Sequence, residues 1–320
     1  MSEPRICVLV LTYHPQKEAL FSTLRSVVMQ EDCDYELIVT DDGSGEFFRE
    51  EIEAFLQAQG VTNYQILAHT ENQGTVKNIL DGAEAAHSTY IKPISPGDYL
   101  YDAHTLRDIA DFMDRHNAAA AFGGMVFYAC QPDFAVKNLT HPLFPEFYNA
   151  QKSGYTAHKA LKQQAVYGDL ICGASAVYKR TALIHGLEAI SPAVRLAEDT
   201  VFQFFAAENT RIYRIPQTVV WYEHGTGVST QKTAQAFTRI DQDFYRFYFA
   251  MAEKFPQNAC LKRACRIWQH RKDNSRKGQL TDKLCPDKFM FSLRGKLRRK
   301  MLKLPSYNDE FFRQCHRAAD

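Results

Sequence analysis

The segment Glu36-Leu37-Ile38-Val39-Thr40-Asp41-Asp42-Gly43-Ser44 constrains the fold of this chain more than any other. Its apolar and β-branched run carries no polar alternation, the pattern of a strand buried on both faces inside a parallel sheet. The run ends abruptly in two carboxylates, a glycine and a hydroxyl. Ligands of parallel sheets sit beyond the carboxyl ends of the strands, where Asp41 and Asp42 fall. Carboxylates there are costly unless a base edge, a ribose hydroxyl or a metal uses them.

The same grammar repeats along the first third of the chain. Arg5–Leu11 reads as a buried strand ending in Thr12-Tyr13-His14-Pro15. Leu20, Leu24, Val27 and Val28 then fall on one helical face. A helix over 46–59, a strand over 63–68, a helix over 75–86 and a strand over 90–94 follow, the last closed by Ser95-Pro96-Gly97-Asp98. This βαβαβαβ order predicts a doubly wound, mostly parallel α/β sheet with right-handed crossovers. Beyond it the sequence predicts a helix from Leu106 to Arg115, a strand over 119–128 and an irregular stretch over 131–156. A strand over 172–179, a helix opened by Ala197-Glu198-Asp199-Thr200 and a strand over 212–222 come next, and the pattern is helical after Gln235.

Composition narrows the class. Of 320 residues, 45% are hydrophobic and 23% charged, ordinary globular usage. No run approaches the length of a membrane span, and the first residues lead into a strand rather than a signal peptide. The eight cysteines show no CxxC spacing, so free thiols in a reducing cytoplasm are expected. The net charge of +1 is unevenly spread: Cys260–Lys303 holds 15 Lys/Arg against three Asp. Within it, residues 289–304 place Leu293, Leu297, Met301 and Leu304 on one face among basic residues. Two readings stand: an interfacial helix on an anionic membrane, or a packed helix with a solvated basic face. Nucleic acid is not expected, because no reading motif accompanies the charge.

The chain has no Gly-x-Gly-x-x-Gly after its first strand, no phosphate loop and no Gly-x-Ser-x-Gly elbow. It has polar groups at successive strand ends: Thr12-Tyr13, Asp41-Asp42, Asn72 with Lys77-Asn78, and Asp98. A carboxylate accepts a base imide N–H, a lysine meets a diphosphate, and a further acid holds a divalent metal. Those are the requirements of a nucleotide-sugar pocket.

Four motifs in this order, Val10-Leu11-Thr12-Tyr13-His14-Pro15, Thr40-Asp41-Asp42-Gly43-Ser44, Asn72-Gln73-Gly74-Thr75-Val76-Lys77-Asn78 and Ala197-Glu198-Asp199-Thr200, make the chain resemble family 2 glycosyltransferases of the GT-A (Rossmann-like) fold over residues 4–230. The resemblance implies a glycosyltransferase domain over 1–235, with a nucleotide-binding half (1–125) and an acceptor-side half (126–235), and a helical, basic C-terminal region over 236–320. It implies that Thr12, Tyr13 and Asp42 bind the nucleobase, with Asp41 in a supporting or ribose-side role and Lys77 and Asn78 near the nucleotide. Asp199 would be the general base of a single inverting displacement from a UDP-sugar. The acceptor would be a hydroxyl of a surface glycan or lipid-linked glycan, and the protein would sit in the cytoplasm, peripheral to the inner face of the cell membrane.

One motif departs from the family pattern. Where the family carries acids after the fourth strand, with the last ligating Mg²⁺ or Mn²⁺, this chain has Ser95-Pro96-Gly97-Asp98-Tyr99. Asp98 is then either the metal ligand or the acid beside it, with Gly97 at the ligand position. Lys77, Lys92 or the basic tail would otherwise neutralise the leaving diphosphate. His224 is either a third metal ligand, a phosphate contact or a structural histidine, and Trp221 and Tyr222 either stack on a sugar or close the core. The thinned motif also admits a non-catalytic relative that binds a nucleotide sugar or glycan. A phosphorelay receiver would share the Asp pair but not Glu198-Asp199, and a nucleotidyltransferase would need a glycine-rich N-terminal loop.

Overall fold

The computed structural model describes residues 4–129, 134–225 and 237–317. The chain opens with β1 (Ile6–Thr12), α1 (Lys17–Val28), β2 (Tyr35–Asp41), α2 (Arg49–Ala58), β3 (Tyr64–Ala68), α3 (Thr75–Ala85) and β4 (Tyr90–Ile94). It continues through β5 (Tyr99–Leu100), α4 (Thr105–His116), β6 (Ala120–Ala129), β7 (Ala135–Lys137), α5 (Ala157–Ala165), β8 (Ala176–Lys179), α6 (Arg180–Ile190), α7 (Val201–Ala207) and β9 (Ile212–Glu223). Five helices follow: α8 (Arg239–Lys254), α9 (Ala259–Lys272), α10 (Arg276–Leu284), α11 (Pro286–Met301) and α12 (Glu310–Arg317).

One sheet runs in the order β3-β2-β1-β4-β8-β6-β9-β5, with β7 paired to β6. The four N-terminal strands are parallel, β8 runs against both neighbours, and β6 and β9 are parallel to each other. The apolar runs of β1 and β2 are buried on both faces between helical layers, as expected of a doubly wound sheet. Leu20, Leu24 and Val27 of α1 cover one face with Ile52 and Leu56 of α2, and Val76, Ile79 and Ala83 of α3 cover the other. The mixed α/β architecture and the mostly parallel sheet agree with the sequence reading.

The elements the sequence did not mark are short or lack punctuation. β5 has two residues and β7 three, too few for any alternation to show. α6 starts at the residue after β8, with no turn residue between them. The boundary placed at 235 and residues 131–133 of the irregular stretch lie outside the described residues. α8 and α9 bury Phe247, Tyr248, Leu261 and Ala264 in the same apolar cluster as Phe202 and Phe204 of α7. α12 returns to the other end of the sheet, where Phe312 and Cys315 pack with Tyr99, Tyr128 and Trp221.

A proline opens the sheet where the site lies. β4 pairs with β8 only through Tyr90 and Ile91, and Pro93, two residues on, has no N–H to donate. The strands part there, and residues 172–174 from the loop before β8 line the gap.

Candidate active site

An open cavity of about 300 Å³ fills that gap, lined by Ser95, Asp98, Gly173, Glu198, Asp199 and Glu223 among others. Three loops and one helix shape the cavity and its approaches.

The first loop follows β2. Asp41 is 1% exposed and its carboxylate accepts from Thr12 Oγ1 at 2.9 Å, Ser44 N at 2.8 Å and Ser44 Oγ at 2.5 Å. Asp42 instead reaches across to the next loop and accepts from Gln73 N at 2.7 Å and Gly74 N at 2.9 Å. The two loops approach so closely that a Cβ on Gly43, whose φ is +76°, would lie 2.3 Å from the Glu71 carbonyl carbon. Asp41 therefore shapes its own turn, and Asp42 orders the neighbouring loop. A carboxylate offers about four acceptor lone pairs, so Asp42 retains capacity for a base N–H.

Beside them Thr12 is buried, its hydroxyl given to Thr40 O and Asp41. Tyr13 stands 52% exposed, its ring 4.4 Å from that of His14. Lys77 pairs with Asp81 one helical turn away. Asn78 is buried, and its Oδ1 has no partner among the described residues. Of this set none lines the cavity, which meets it through Leu11 and Thr75.

The second loop carries Glu198 and Asp199. Asp243 of α8, 4% exposed, holds it: one carboxylate oxygen accepts from Arg195 N at 3.0 Å, Leu196 N at 2.5 Å and Ala197 N at 3.2 Å. Arg195 then ties this loop to the first pair. Its guanidinium donates to Asn72 O at 2.6 Å and Asn72 Oδ1 at 2.8 Å, and its carbonyl accepts from Val76 N. Glu198 lies against Gly173, where a Cβ would sit 2.7 Å from Oε1. Burial raises the pKa of Asp199, and burial plus the Asp199 charge raises that of Glu198. Two acids in one apolar setting therefore hold a proton near neutrality.

The third loop is Ser95–Asp98. Thr23 of α1 accepts from Gly97 N at 3.1 Å and donates to Asp98 O at 2.8 Å, while the Tyr128 hydroxyl donates to Gly97 O. Asp98 accepts from Glu223 N at 3.1 Å, which joins this turn to the end of β9. Burial pushes Asp98 up to about 7. Beneath it Lys92 is fully buried, donates to Pro93 O and Ala174 O at 2.7 Å each, and is pushed down to about 8 by burial. Lys92 is thus a strut across the parted strands rather than a group facing the cavity.

Glu223 bears on the fit of a divalent cation. A Cβ built on Gly97, whose φ is +94°, would lie 2.3 Å from Glu223 Oε2. The carboxylate of Glu223 occupies the space that a side chain at 97 would take, beside Asp98. Among the described residues no three His, Cys, Asp or Glu side chains gather for a metal. Mg²⁺ commonly takes only one or two carboxylates, with waters and substrate phosphates completing its shell, so the residues present fit it. His224 stands apart: its ring lies 6.4 Å from that of Phe127, and it does not line the cavity. Trp221 is buried in the α12 cluster, whereas Tyr222 lines the cavity.

Sequence reasoning missed Asp243, Arg195 and Glu223 as parts of the site. Two had readable signals. Glu223 ends the apolar run Val219-Val220-Trp221-Tyr222 as Asp41 ends its own run, and Asp243 is a carboxylate on the face of α8 that carries Ile240, Phe244 and Phe247.

A sequence profile of glycosyl transferase family 2 matches residues 7–186. Among solved structures, S. aureus TarS 1-349 is similar with a TM-score of 0.57 at 15% identity, over 92% of this chain and 80% of that one. The same protein in complex with UDP-GlcNAc aligns with a TM-score of 0.56 at 14% identity, over 91% of this chain and 79% of that one. Its complex with UDP gives 0.53 at 14% identity, over 92% and 80%. No curated protein matches the chain.

Proposed function

Because the chain belongs to glycosyl transferase family 2, we propose that it moves a sugar from a nucleoside-diphosphate donor to an acceptor hydroxyl, with inversion at the anomeric carbon. The observation that carries this reading is the shared cavity. Asp199, Asp98 and Glu223 all line it, and Arg195 couples the Asp199 loop to the loop that Asp42 holds.

In this reading the nucleobase rests by Thr12, Tyr13 and Asp42, and the sugar extends into the cavity. Asp199 takes the proton of the acceptor hydroxyl as that oxygen bonds to the anomeric carbon. The bond from that carbon to the diphosphate oxygen breaks on the opposite face, which inverts the centre. Asp98 and Glu223 would hold Mg²⁺ or Mn²⁺, which supplies charge neutralisation to the departing diphosphate. Asp243 keeps the base loop in register through three backbone N–H groups. A uridine donor is supported by the complexes of TarS 1-349 with UDP and UDP-GlcNAc. A hexosyl or N-acetylhexosaminyl group is the sugar class assigned. The acceptor class is a surface glycan or lipid-linked hydroxyl, and the place of work is the cytoplasmic face of an anionic membrane.

The binding-only alternative rested on the thinned acidic motif, Ser95-Pro96-Gly97-Asp98. Glu223 restores a carboxylate to that space, which favours the enzyme. The test is transfer from a panel of UDP-sugars to a hydroxyl acceptor pool, in wild type and Asp199→Asn. Turnover lost in the variant with UDP binding retained supports the assignment; equal turnover in both removes Asp199 as the base.

A further inference from the structure

α11 has two unlike faces, and among the described residues only one of them is covered. On the inner face the Phe291 ring stacks on Tyr167 with centroids 4.6 Å apart, Gly295 is buried with Leu143 3.2 Å from where its Cβ would be, and Arg298 pairs with Glu146 at 2.6 Å. Asp287 at the start of the helix is bound by Arg263 at 2.6 Å and Lys162 at 2.8 Å. Taking about 100° per residue, this face lies roughly opposite Phe289, Met290, Leu293, Leu297 and Met301, which share an arc of about 120°. Those five are 51%, 45%, 43%, 55% and 78% exposed. Leu304 beyond the helix is 58% exposed, and Leu280 and Leu284 of α10 are 57% and 60% exposed.

Charge identifies what covers this face. Residues 276–304 contain ten Lys/Arg and two acids, and both acids are engaged away from the stripe, Asp282 with His270 and Asp287 with Arg263 and Lys162. By the same spacing Lys296 flanks the stripe on one side and Arg294 on the other, while Lys300 falls at its edge between Phe289 and Leu293, all three exposed. A second copy seated here would set this positive face against itself, which like charges oppose. No described helix is long and apolar enough to cross a bilayer, so the stripe suits the interface and not the interior.

We infer that α10 and α11 dock on an anionic lipid bilayer, with the Leu/Met stripe among the acyl chains and the basic flanks at the headgroups. The docked orientation has a consequence for the site. α11 rests on Phe144 and Tyr167, and the chain running on from Tyr167 contributes Leu170 and Cys172 to the cavity wall. A lipid-anchored acceptor would therefore approach the cavity from the surface that holds the enzyme; this second statement rests on the proposed transferase activity, and the docking itself does not.

The test is flotation of the full chain with phosphatidylcholine vesicles, with and without phosphatidylglycerol, at low and high salt. Binding is expected to anionic vesicles at low salt and to weaken as salt rises. Leu293→Asp with Leu297→Asp should lower it by about tenfold or more, and Lys296→Glu with Lys300→Glu should remove the preference for anionic lipid. All four positions are exposed, so unchanged melting temperature and UDP binding confirm the fold. Absence of flotation at low salt, or flotation indifferent to both double variants, overturns the inference. So does a dimer of the wild type that the Asp variants dissociate while vesicles are ignored. Failure to bind UDP would count against the transferase reading and leave the lipid result to stand by itself.

Discussion

Gly97 and Glu223 share one space at the cavity rim: a Cβ on the glycine would lie 2.3 Å from Oε2 of the glutamate. The glycine's φ of +94° also belongs to a region that L side chains rarely adopt. Gly97→Ala is therefore expected to lose about 1 kcal/mol of stability through its backbone and to turn the Glu223 carboxylate away from Asp98. Glu223→Gln tests the second effect alone. Mn²⁺ affinity of the UDP-loaded chain, read by electron paramagnetic resonance, should fall about tenfold in both variants. Unchanged affinity in Glu223→Gln would leave Asp98 as the sole protein ligand.

Asp199→Asn should lower turnover by about 10²–10⁴-fold, the range of a lost general base. It should also reveal the strain of the acid pair. Burial holds the folded-state pKa of Asp199 above its unfolded value, so the folded chain binds the extra proton at low pH and loses stability as pH rises through the folded pKa. The asparagine carries no such charge. The variant's melting temperature should match wild type below about pH 4, the unfolded carboxylate range, and exceed it by about 2–4 °C at pH 8. A gap that narrows with rising pH would contradict the sign.

The wild-type rate should follow the same titration. A base whose pKa is raised by burial gives a kcat that climbs with pH well above the ordinary carboxylate range. A pH profile already flat from pH 5 upward would place the essential base elsewhere.

Asp243→Ala leaves three backbone N–H groups of residues 195–197 without their acceptor. A loss of about 2–3 kcal/mol is expected, because the lost bonds are to a charged group, and turnover should fall although Asp243 lies behind the loop. Asp243→Asn, which keeps one oxygen acceptor, should recover part of both. Equal damage in the two variants would point to packing rather than to the held loop.

Asp42→Asn should weaken UDP binding by about tenfold and destabilise the chain by about 1 kcal/mol, since its carboxylate both orders residues 73–74 and remains available to the base. Calorimetric titration with UDP, with thermal melting alongside, separates the two effects. UDP affinity unchanged in the variant would assign Asp42 to the loop alone.

The N-terminal half of the fold was legible because its strands are continuous apolar runs and its helices carry one apolar stripe each, both local patterns. Asp41-Asp42, Asp98 and Glu198-Asp199 were legible because acids stand out at the ends of such runs. The partners were not. Glu223 meets Asp98 across 125 residues and Asp243 meets Arg195 across 48, and no local period encodes those meetings. The tail was half legible: the face of Leu293, Leu297 and Met301 was visible, but not whether the rest of the protein covers it. Phe291 was indistinguishable in kind from Phe289 until Tyr167 was seen to cover it.

By itself, then, the sequence determined the alternating strands and helices from β1 to β4, the acids at the strand ends and the basic character of the last helices, because backbone periodicity and burial are read residue by residue. Tertiary structure alone decided which acid does which work. Asp41 closes its own turn while Asp42 holds the next loop, and a glutamate from β9 fills the place left by Gly97. Those assignments depend on which backbone N–H groups and which empty volumes the folded chain brings against each carboxylate, and only packing sets them.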